Sequence, residues 1–427
     1  MTLARLCGSV TLLTAVINLT PARAQVDYSV HFELEKARYS LGEPIFCRFV
    51  IRNTGSSIFA FRYRTPSRAL GSGDEQEPRL QVTDSKGRHL PDPGPRPCGN
   101  PQGTAVYGYV TLPPGKLHSE RWLLNQWAQF AATGTYHVRA ERRLALLPPD
   151  PRTGKFADKP AAFALAIDDL DVSVVHSTPA EVKAAFQPYL VVVANPKEPN
   201  PAEAVMVLTA MPQPFFLDRL VAMATAAKSE HWDRRDSVDG LARLNTPAAW
   251  QAILNLFRSV DAGGAGGKNA SPPDDSPVRS YALLLLAEKG DPAFIPPIVE
   301  SLAKSADPLR GDILRALGFF REARAYQPLF DNLHSPHVTD RMNAILGLKN
   351  SGAKEVVPAL LAALNDRDPQ VRQVANFALE GVTGYHVALS TTPSPEEWQR
   401  AAGQWHVWWR EHAGSFSPPH PAPCHEW

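Results

Sequence analysis

The stretch from Ser276 to Gly384 decides the fold; it opens with SPVRSYALLLLAEKGDPAFIPPIVESL (residues 276–302) and closes with DPQVRQVANFALEGVTG (residues 368–384). Within it, Ser or Asp followed by Pro recurs at positions 276, 307, 335 and 368, at intervals of 31, 28 and 33 residues. Ser and Asp accept a hydrogen bond from a first-turn amide, and proline at the first helical position loses only an amide that has no partner. Each pair therefore predicts the start of a helix.

The apolar residues after each start are spaced as on one helical face, and glycines 290, 352 and 384 are placed to end these helices. Second helices are predicted over Phe294–Ala303, Ala325–Leu333 and Val356–Leu364. One helix pair cannot bury both of its faces, so units of about 30 residues are predicted to stack into an α-solenoid over residues 200–390. The glycine-rich run at 261–275 is predicted to be a flexible loop at its edge.

These segments resemble HEAT repeats of the bacterial type that also occurs in phycobilisome-lyase-like proteins. The resemblance covers about residues 200–384 and is carried by Pro277-Val278-Arg279, Pro308-Leu309-Arg310 and Val371-Arg372. It implies an α-solenoid that binds other proteins. One repeat departs from the pattern, because Thr339 follows Val338 and the arginine comes only at Arg341. We interpret this departure as a register change in one repeat.

The pattern before the helices has a different period. From Tyr28 to about Ser177, short runs of β-branched and aromatic residues alternate with Gly, Pro, Asn and Asp, which predicts eight strands and a β-sandwich over residues 25–177. The run YSLGEPIFCRFVIRNTGSSIFAF (residues 39–61) resembles immunoglobulin-like domains of secreted bacterial proteins and is also similar to bacterial proteinase-inhibitor sandwiches. The predicted fold class is an all-β, immunoglobulin-like sandwich followed by an all-α HEAT-like solenoid.

The N terminus has the features of a secretory signal peptide over residues 1–24. A short basic segment ends at Arg5, an apolar run covers Leu6 to Leu19, and small residues at positions 22 and 24 predict cleavage after Ala24. A membrane anchor is the alternative, but the run is short for a bilayer span. The mature chain is therefore expected to be secreted or periplasmic, with no transmembrane segment after cleavage. A formal net charge of +1 gives no reason to expect nucleic acid as a partner.

Export to an oxidising compartment changes the interpretation of cysteines. Three remain after cleavage, at Cys47, Cys98 and Cys424. Cys47 and Cys98 fall in the same predicted domain and could form a disulfide, with Cys424 left over in a proline-rich tail. Three separate thiols are the alternative. A basic cluster at arginines 48, 52, 62, 64 and 68 is interpreted as a solvated sheet face, with an anionic surface as the alternative.

Helix-start signals also mark the ends of the solenoid. Thr178 and Asn200 each have Glu three residues later, so both form capping boxes, and residues 178–199 are predicted to be a helical linker. A C-terminal helix over 391–413 carries Trp398, Trp405 and Trp409 on one face. We predict that this face closes the solenoid core; a binding platform for sugars is the alternative. Residues 414–427 are predicted to be a flexible tail.

No catalytic motif was found. The neighbouring carboxylates of Asp168 and Asp169 should point to opposite sides of a strand, and a metal site at His420, Cys424 and His425 lacks supporting residues. No cofactor is predicted. The function predicted is a non-enzymatic scaffold that binds a protein partner of unknown identity at the cell envelope through the second helices. The alternatives are a proteinase inhibitor acting through the sandwich and a lyase-like or polysaccharide-binding enzyme.

Overall fold

The computed structural model describes residues 26–64, 78–91, 93, 107–149, 155–156, 160, 162–195, 201–226, 231–259, 276–304 and 309–418. The predicted signal peptide with its cleavage after Ala24, Cys98, Cys424 and the loop 261–275 lie outside these residues. So does the tail beyond residue 418, with His420 and His425. Predictions that fall on these residues stay predictions.

The N-terminal part of the described chain consists of β-strands. They are β1 (Tyr28–Leu34), β2 (Arg38–Ser40), β3 (Phe46–Asn53), β4 (Phe59–Arg64), β5 (Arg79–Asp84), β6 (Tyr107–Leu112), β7 (Leu117–Leu123), β8 (Gly134–Leu147) and β9 (Ala162–Val175). One sheet has the order β1-β3-β7; the other has the order β2-β9-β8-β4-β6, with β5 also paired to β8. All pairs are antiparallel except β2 with β9. The sequence pattern missed β2, because three residues are too few to show alternation.

The two sheets enclose one apolar core. Alternate residues of β3, including Phe49 and Ile51, are fully buried, and Phe32 of β1 meets Phe49 edge to face at 5.2 Å. The opposite sheet contributes Val138 and Leu144 from β8. This in-and-out alternation along each strand is what a sheet with one buried face requires. The sequence from residue 28 to 175 therefore folds as two sheets that share a core.

Helices make up the rest of the described chain. They are α1 (Pro179–Ala194), α2 (Pro201–Ala210), α3 (Leu217–Thr225), α4 (His231–Leu244), α5 (Pro247–Arg258), α6 (Ser276–Lys289), α7 (Ile295–Leu302), α8 (Arg310–Leu317), α9 (Ala323–Asn332), α10 (Val338–Ser351), α11 (Val357–Ala363), α12 (Pro369–Thr383) and α13 (Pro395–His412). From α4 onwards, first helices (α4, α6, α8, α10 and α12) alternate with second helices (α5, α7, α9 and α11). Within this described part, no helix is long and apolar enough to cross a bilayer.

Most predicted helix ends are confirmed where the structure describes them. Thr178 accepts from the amide of Glu181 and the Glu181 carboxylate reaches back, which completes the capping box of α1. Asp368 and Ser394 cap α12 and α13, each followed by proline. Glycines 290, 352 and 384 end their helices with φ of +65°, +58° and +70°, a conformation that glycine adopts without steric cost.

One predicted helix start is wrong. Ser335-Pro336 lies before α10, whose N-cap is His337. The Ser335 hydroxyl instead donates to the carboxylate of Asp340 at 2.9 Å and accepts from the amide of His337. The buried Asp340 carboxylate, in the first turn of α10, thus binds the Ser335 hydroxyl. Ser335 and Pro336 therefore lie in the loop before α10, and Ser335 is not its N-cap.

Candidate functional site

The first helices carry an arginine at a constant interval. Arginines 279, 310, 341 and 372 are each 31 residues apart, and we call them the arginine ladder. Each donates to a main-chain carbonyl in the segment before its own helix: Arg279 to Phe257, Arg310 to Leu302, Arg341 to Ser335 and Arg372 to Asp366, at 3.0, 2.6, 3.0 and 2.8 Å. The end of the preceding second helix (α5 and α7), or the loop that follows it (after α9 and α11), is thereby tied to the next first helix.

The ladder corrects the register change predicted at Val338–Arg341. Arg341 stands at the same interval as its neighbours, so the register is kept. The departure is Asp340, which occupies the position that Val278, Leu309 and Val371 fill in the other repeats. Asp340 is buried and accepts from Nε of Arg310 at 3.0 Å, which satisfies a carboxylate at an apolar position.

Neighbouring repeats are also joined by a two-pronged ion pair. Nε and Nη2 of Arg341 donate to the two oxygens of Asp366 at 2.8 and 2.9 Å, and the Arg341 side chain is only 4% exposed. A planar guanidinium that meets both oxygens of a carboxylate fixes direction as well as distance. α10 and the loop between α11 and α12 therefore cannot shift along one another without breaking this contact.

The constant register aligns the exposed side of the second helices. Two positions four residues apart on each helix point to solvent, and we call this row the second-helix face. Its members are Gln251, Asn255, Pro296, Glu300, Gln327, Asp331, Pro358 and Ala362. Equivalent positions on α7, α9 and α11 recur every 31 residues. From α5 to α7 the interval is 45 residues, because 14 additional residues separate α5 from α6.

The second-helix face carries two polar side chains on α5, two on α9 and one on α7, whereas its two members on α11 are Pro358 and Ala362. Gln251 donates to Asn255 at 3.0 Å and Gln327 donates to Asp331 at 2.8 Å along their own helices. Between repeats, Nη2 of Arg258 lies 3.3 Å from the Glu300 carboxylate. Such exposed groups can form hydrogen bonds across a protein contact, of which a typical interface has about ten. In the described residues, no three His, Cys, Asp or Glu side chains converge to hold a metal ion.

The sandwich closes the first end of the helical stack. Phe46 and Leu123, at the edges of β3 and β7, are buried in the same apolar core as Phe186 of α1. Above this contact, Arg121 donates to both oxygens of Glu35 at 2.6 and 2.8 Å and also pairs with Glu203 of α2. The Arg121 guanidinium lies 3.9 Å from the centre of the Phe46 ring.

Arg121 also sets the ionisation of its partner. Burial alone would raise the pKa of Glu35, but hydrogen bonds from Arg121 and Arg48 hold that pKa below its usual value. Glu35 and Arg121 both lie in the β-sheet part, so this ion pair, which is complete only when Glu35 is charged, holds the guanidinium that contacts Glu203 of α2. Sequence analysis missed Arg121, Glu35 and Glu203, because 86 and 82 residues separate the partners and no local pattern links them.

The C-terminal helix closes the other end. Trp398 and Trp405 of α13 are 6% and 0% exposed, and Nε1 of Trp405 donates to Asn376 of α12 at 2.7 Å. Trp409 is half-buried and meets Phe416 edge to face at 5.7 Å. These positions place two of the three predicted indoles inside the core and the third at its rim.

Trp408, which the sequence analysis did not single out, organises the rim. It stacks on Tyr385 at 5.3 Å and on His412 at 4.8 Å, with planes within 13° and 11° of parallel. Phe416 packs against the same ring. The aromatic side chains at this end thus bind mainly one another. A local signal existed, because position 408 is the i+3 neighbour of the buried Trp405.

The remaining predicted residues are distributed over the sandwich. Cys47 is fully buried, and burial raises the pKa of its thiol to about 12; within the described chain it has no disulfide partner. Its pairing with Cys98 stays a prediction. Asp168 accepts from the amide of Phe32, whereas Asp169 pairs with Arg139 on the other side of β9. Adjacent carboxylates do point to opposite sides.

The predicted basic cluster is divided. Arg48 and Arg52 lie on β3 in the three-stranded sheet, and Arg62 lies on β4 in the other sheet. Arg48 pairs with Glu33 and Glu35, so its charge is balanced locally. The side chain of Arg64 and the whole of Arg68 lie outside the part of the chain that the structure describes. These arginines belong to different sheets because β3 and β4 are joined by a turn that crosses between the sheets.

A comparison with known protein families identifies a repeat in the helical part of the chain. The family model described as the PBS lyase HEAT-like repeat matches residues 340–366. This segment contains Arg341 and Asp366, the two partners of the two-pronged ion pair. None of the curated proteins is similar to this chain at a significant level. The match covers one repeat, so HEAT-like repeats are identified in this region.

Two solved structures share some likeness. An engineered protein is 18% identical, with 49% of this chain and 93% of that chain covered and a TM-score of 0.26. The complex of CpcE and CpcF of phycocyanin lyase from Nostoc sp. PCC7120 is 16% identical, with 53% and 82% covered and a TM-score of 0.28. TM-scores this low support no argument about how the repeats are arranged.

Proposed function

We propose that this chain is an exported, non-enzymatic scaffold that binds a protein partner at the cell envelope through the second-helix face. The observation that carries the proposal is the alignment of α5, α7, α9 and α11 in one register, which presents a continuous row of exposed side chains. HEAT repeats bind proteins, and a regular row of this kind suits an extended partner surface. The sandwich and α13 occupy the two ends of the stack, which leaves the side of the solenoid for binding.

We further propose that the sandwich is immunoglobulin-like. The strand order supports this proposal: β1, β3 and β7 correspond to strands A, B and E of such domains, and β4, β8 and β9 correspond to C, F and G. Export after cleavage at Ala24 is part of the same proposal. It is tested by fractionation of the host cell and N-terminal sequencing of the mature chain, which should begin at Gln25.

The binding proposal is tested by site-specific photo-cross-linking. A photoreactive amino acid replaces Gln327 on the second-helix face or, as the matched control, the exposed Gln373 on the first helix α12. The full-length chain is expressed in its host, irradiated, and its adducts identified by mass spectrometry. We expect one envelope protein to be captured from position 327 and not from 373.

Substitutions then test whether the captured protein binds through the second-helix face. Asp331→Lys should reduce capture at position 327, because it reverses a charge in the centre of the row, whereas Gln373→Lys should not. Equal capture from both positions, or capture that Asp331→Lys leaves unchanged, would contradict binding through the second-helix face.

A further inference from the structure

The outer face of β9 carries an unusual run of apolar side chains. Phe163, Leu165 and Ile167 occupy three successive outward positions and are 48%, 50% and 44% exposed. The outward side of a solvated antiparallel sheet is normally polar, and contiguous exposed apolar patches usually mark contact sites. Asp169 and Asp171 occupy the next two outward positions of the same strand, with side chains 74% and 72% exposed.

The outward positions of β8 have a complementary pattern. In register with Phe163, Leu165, Ile167, Asp169 and Asp171 stand Ala145, Arg143, Glu141, Arg139 and His137. The Arg143 guanidinium lies 4.1 Å from the centre of the Phe163 ring. Asp169 pairs with Arg139 at 3.2 Å, and Asp171 with His137 at 2.6 Å. Carboxylates on β9 therefore lie beside Arg139 and His137 at one end of this face, apolar side chains on β9 lie beside Ala145 and Arg143 at the other end, and Glu141 stands beside Ile167 between them.

We propose that two copies of this chain associate face to face through the outer surfaces of β8 and β9. A twofold axis parallel to the strands, between β8 and β9, exchanges the outward positions of the two strands. It places Asp169 of each copy opposite Arg139 of the other and Leu165 opposite the aliphatic part of Arg143. A patch that is complementary to itself in this way is what a closed, symmetric dimer requires.

The charge pattern selects this occupant over an anionic membrane. A negatively charged lipid surface would attract Arg139 and Arg143 but repel the exposed carboxylates of Asp169 and Asp171. A partner surface that carries both positive and negative side chains can pair with the arginines and with the aspartates. The same face of a second copy is such a surface. The arginines and aromatic rings are also side chains that are enriched at protein contacts.

The dimensions are adequate. Each of the two strands has 14 residues, or about 46 Å at about 3.3 Å per residue, and two neighbouring strands are about 10 Å wide. The hairpin alone provides roughly 450 Å² per copy. The adjacent strands β5 and β4 extend this footprint toward the roughly 600 to 800 Å² per partner of small specific interfaces.

Charge exchange between copies tests the proposal. In the dimer, Asp169→Arg places arginine opposite arginine at both positions, and Arg139→Asp places carboxylate opposite carboxylate, so each variant alone should dimerise more weakly than the wild type. In a 1:1 mixture every opposing pair again has opposite charge, and a heterodimer should form. Each variant also loses its own internal pair, so rescue on mixing can come only from contacts between copies.

The readout is analytical ultracentrifugation of the full-length mature chain from about 1 to 100 μM, since weak dimers dissociate in the micromolar range. We expect the wild-type chain to dimerise and each charge variant to weaken dimerisation about tenfold or more. Leu165→Asp should have the same effect. Leu117→Asp, at an equally exposed leucine on β7 of the other sheet, is the matched control and should leave the dimer intact.

Three outcomes would overturn the proposal: a wild-type monomer at 100 μM, a dimer that Leu165→Asp leaves unchanged, or charge variants that stay monomeric when mixed. Binding of the monomeric chain to vesicles of phosphatidylglycerol but not phosphatidylcholine would overturn it in favour of a membrane. Circular dichroism of each variant verifies folding. Failure here leaves the second-helix proposal unaffected, because the two faces lie on different parts of the chain.

Discussion

At the scale of single residues, two glycines allow the first helices α8 and α10 to approach closely. A Cβ at Gly347 would lie 2.3 Å from the carbonyl oxygen of Leu314, and a Cβ at Gly318 would lie 1.8 Å from that of Gly347. Main-chain atoms cannot move aside as a flexible side chain can. The packing of α8 on α10 therefore requires glycine at both positions, because any side chain there would clash with main-chain atoms.

Gly347→Ala should destabilise the protein despite the higher helix propensity of alanine. We expect a loss of about 2 kcal/mol in the free energy of unfolding, because overpacking costs about 1–3 kcal/mol. Urea denaturation followed by circular dichroism measures it. Gly403→Ala in α13 is the matched control, since no atom lies within 4 Å of its Cβ position; it should stabilise by about 0.5–1 kcal/mol. Equal effects at both sites would contradict the close approach.

The Arg341–Asp366 pair leads to a second prediction. Arg341→Lys keeps the charge but loses the planar fork, so it should lower the free energy of unfolding by about 1–3 kcal/mol. Arg367→Lys, at an exposed neighbouring position, serves as control and should change it by less than about 0.5 kcal/mol. An unchanged urea midpoint for Arg341→Lys would show that the two-pronged contact does not hold the repeats together.

At the scale of elements, α13 packs on the solenoid through its buried indoles. Trp405 is fully buried against Asn376 and Tyr385. Trp398 lies under the guanidinium of Arg372, the last member of the arginine ladder, at 5.4 Å. The terminal helix thus covers the apolar surface that the last repeat would otherwise expose, as capping units of solenoids do.

Trp405→Ala separates this role from that of a ligand platform. It should lower the free energy of unfolding by about 3–5 kcal/mol, the usual cost of removing a buried aromatic ring. His406→Ala, at the exposed next residue, should have little effect. Thermal denaturation provides the comparison. A Trp405→Ala variant with unchanged melting temperature but altered retention on an immobilised polysaccharide would instead support the platform.

At the scale of the whole molecule, the sandwich and the solenoid are joined by apolar contact and by the Arg121 pairs. The pKa of Glu35 is lowered in the folded state, so the stability from this carboxylate is fully present above its ordinary pKa of 4.5. It is lost as pH falls below that value and through the lower pKa of the folded chain. The junction should therefore weaken in acid.

Acid titration tests the junction. The urea midpoint of the wild-type chain should fall between pH 5 and pH 3, and Glu35→Gln should reduce that dependence while lowering the midpoint at pH 7. Glu355→Gln, at an exposed position on the solenoid, controls for the loss of one charge. If Glu35→Gln and Glu355→Gln change the acid limb equally, the junction does not depend on this ion pair.

Features within one helix or strand could be predicted from the sequence, whereas contacts between distant elements could not. The capping residues at Thr178, Asp368 and Ser394 and the positive-φ glycines each lie next to the helix end that they mark, and the helix starts recur with a period near 30, so these signals predict helices directly from the chain. Alternation likewise predicted most strands. These signals were sufficient for a β-sheet part followed by a HEAT-like helical part.

Only the tertiary structure decided which residues of distant segments meet. Arg121 with Glu203, Phe46 with Phe186, and the outward rows of β8 and β9 are brought together by chain reversal, which leaves no trace in local spacing. The repeat at Val338–Arg341 illustrates the limit, because the order Val338, Thr339 and Arg341 suggested a shifted register, whereas the contact of the buried Asp340 with Arg310 shows that the register is kept. Periodic patterns reflect hydrogen bonding and burial within one element, whereas pairing between elements depends on packing that no single segment encodes.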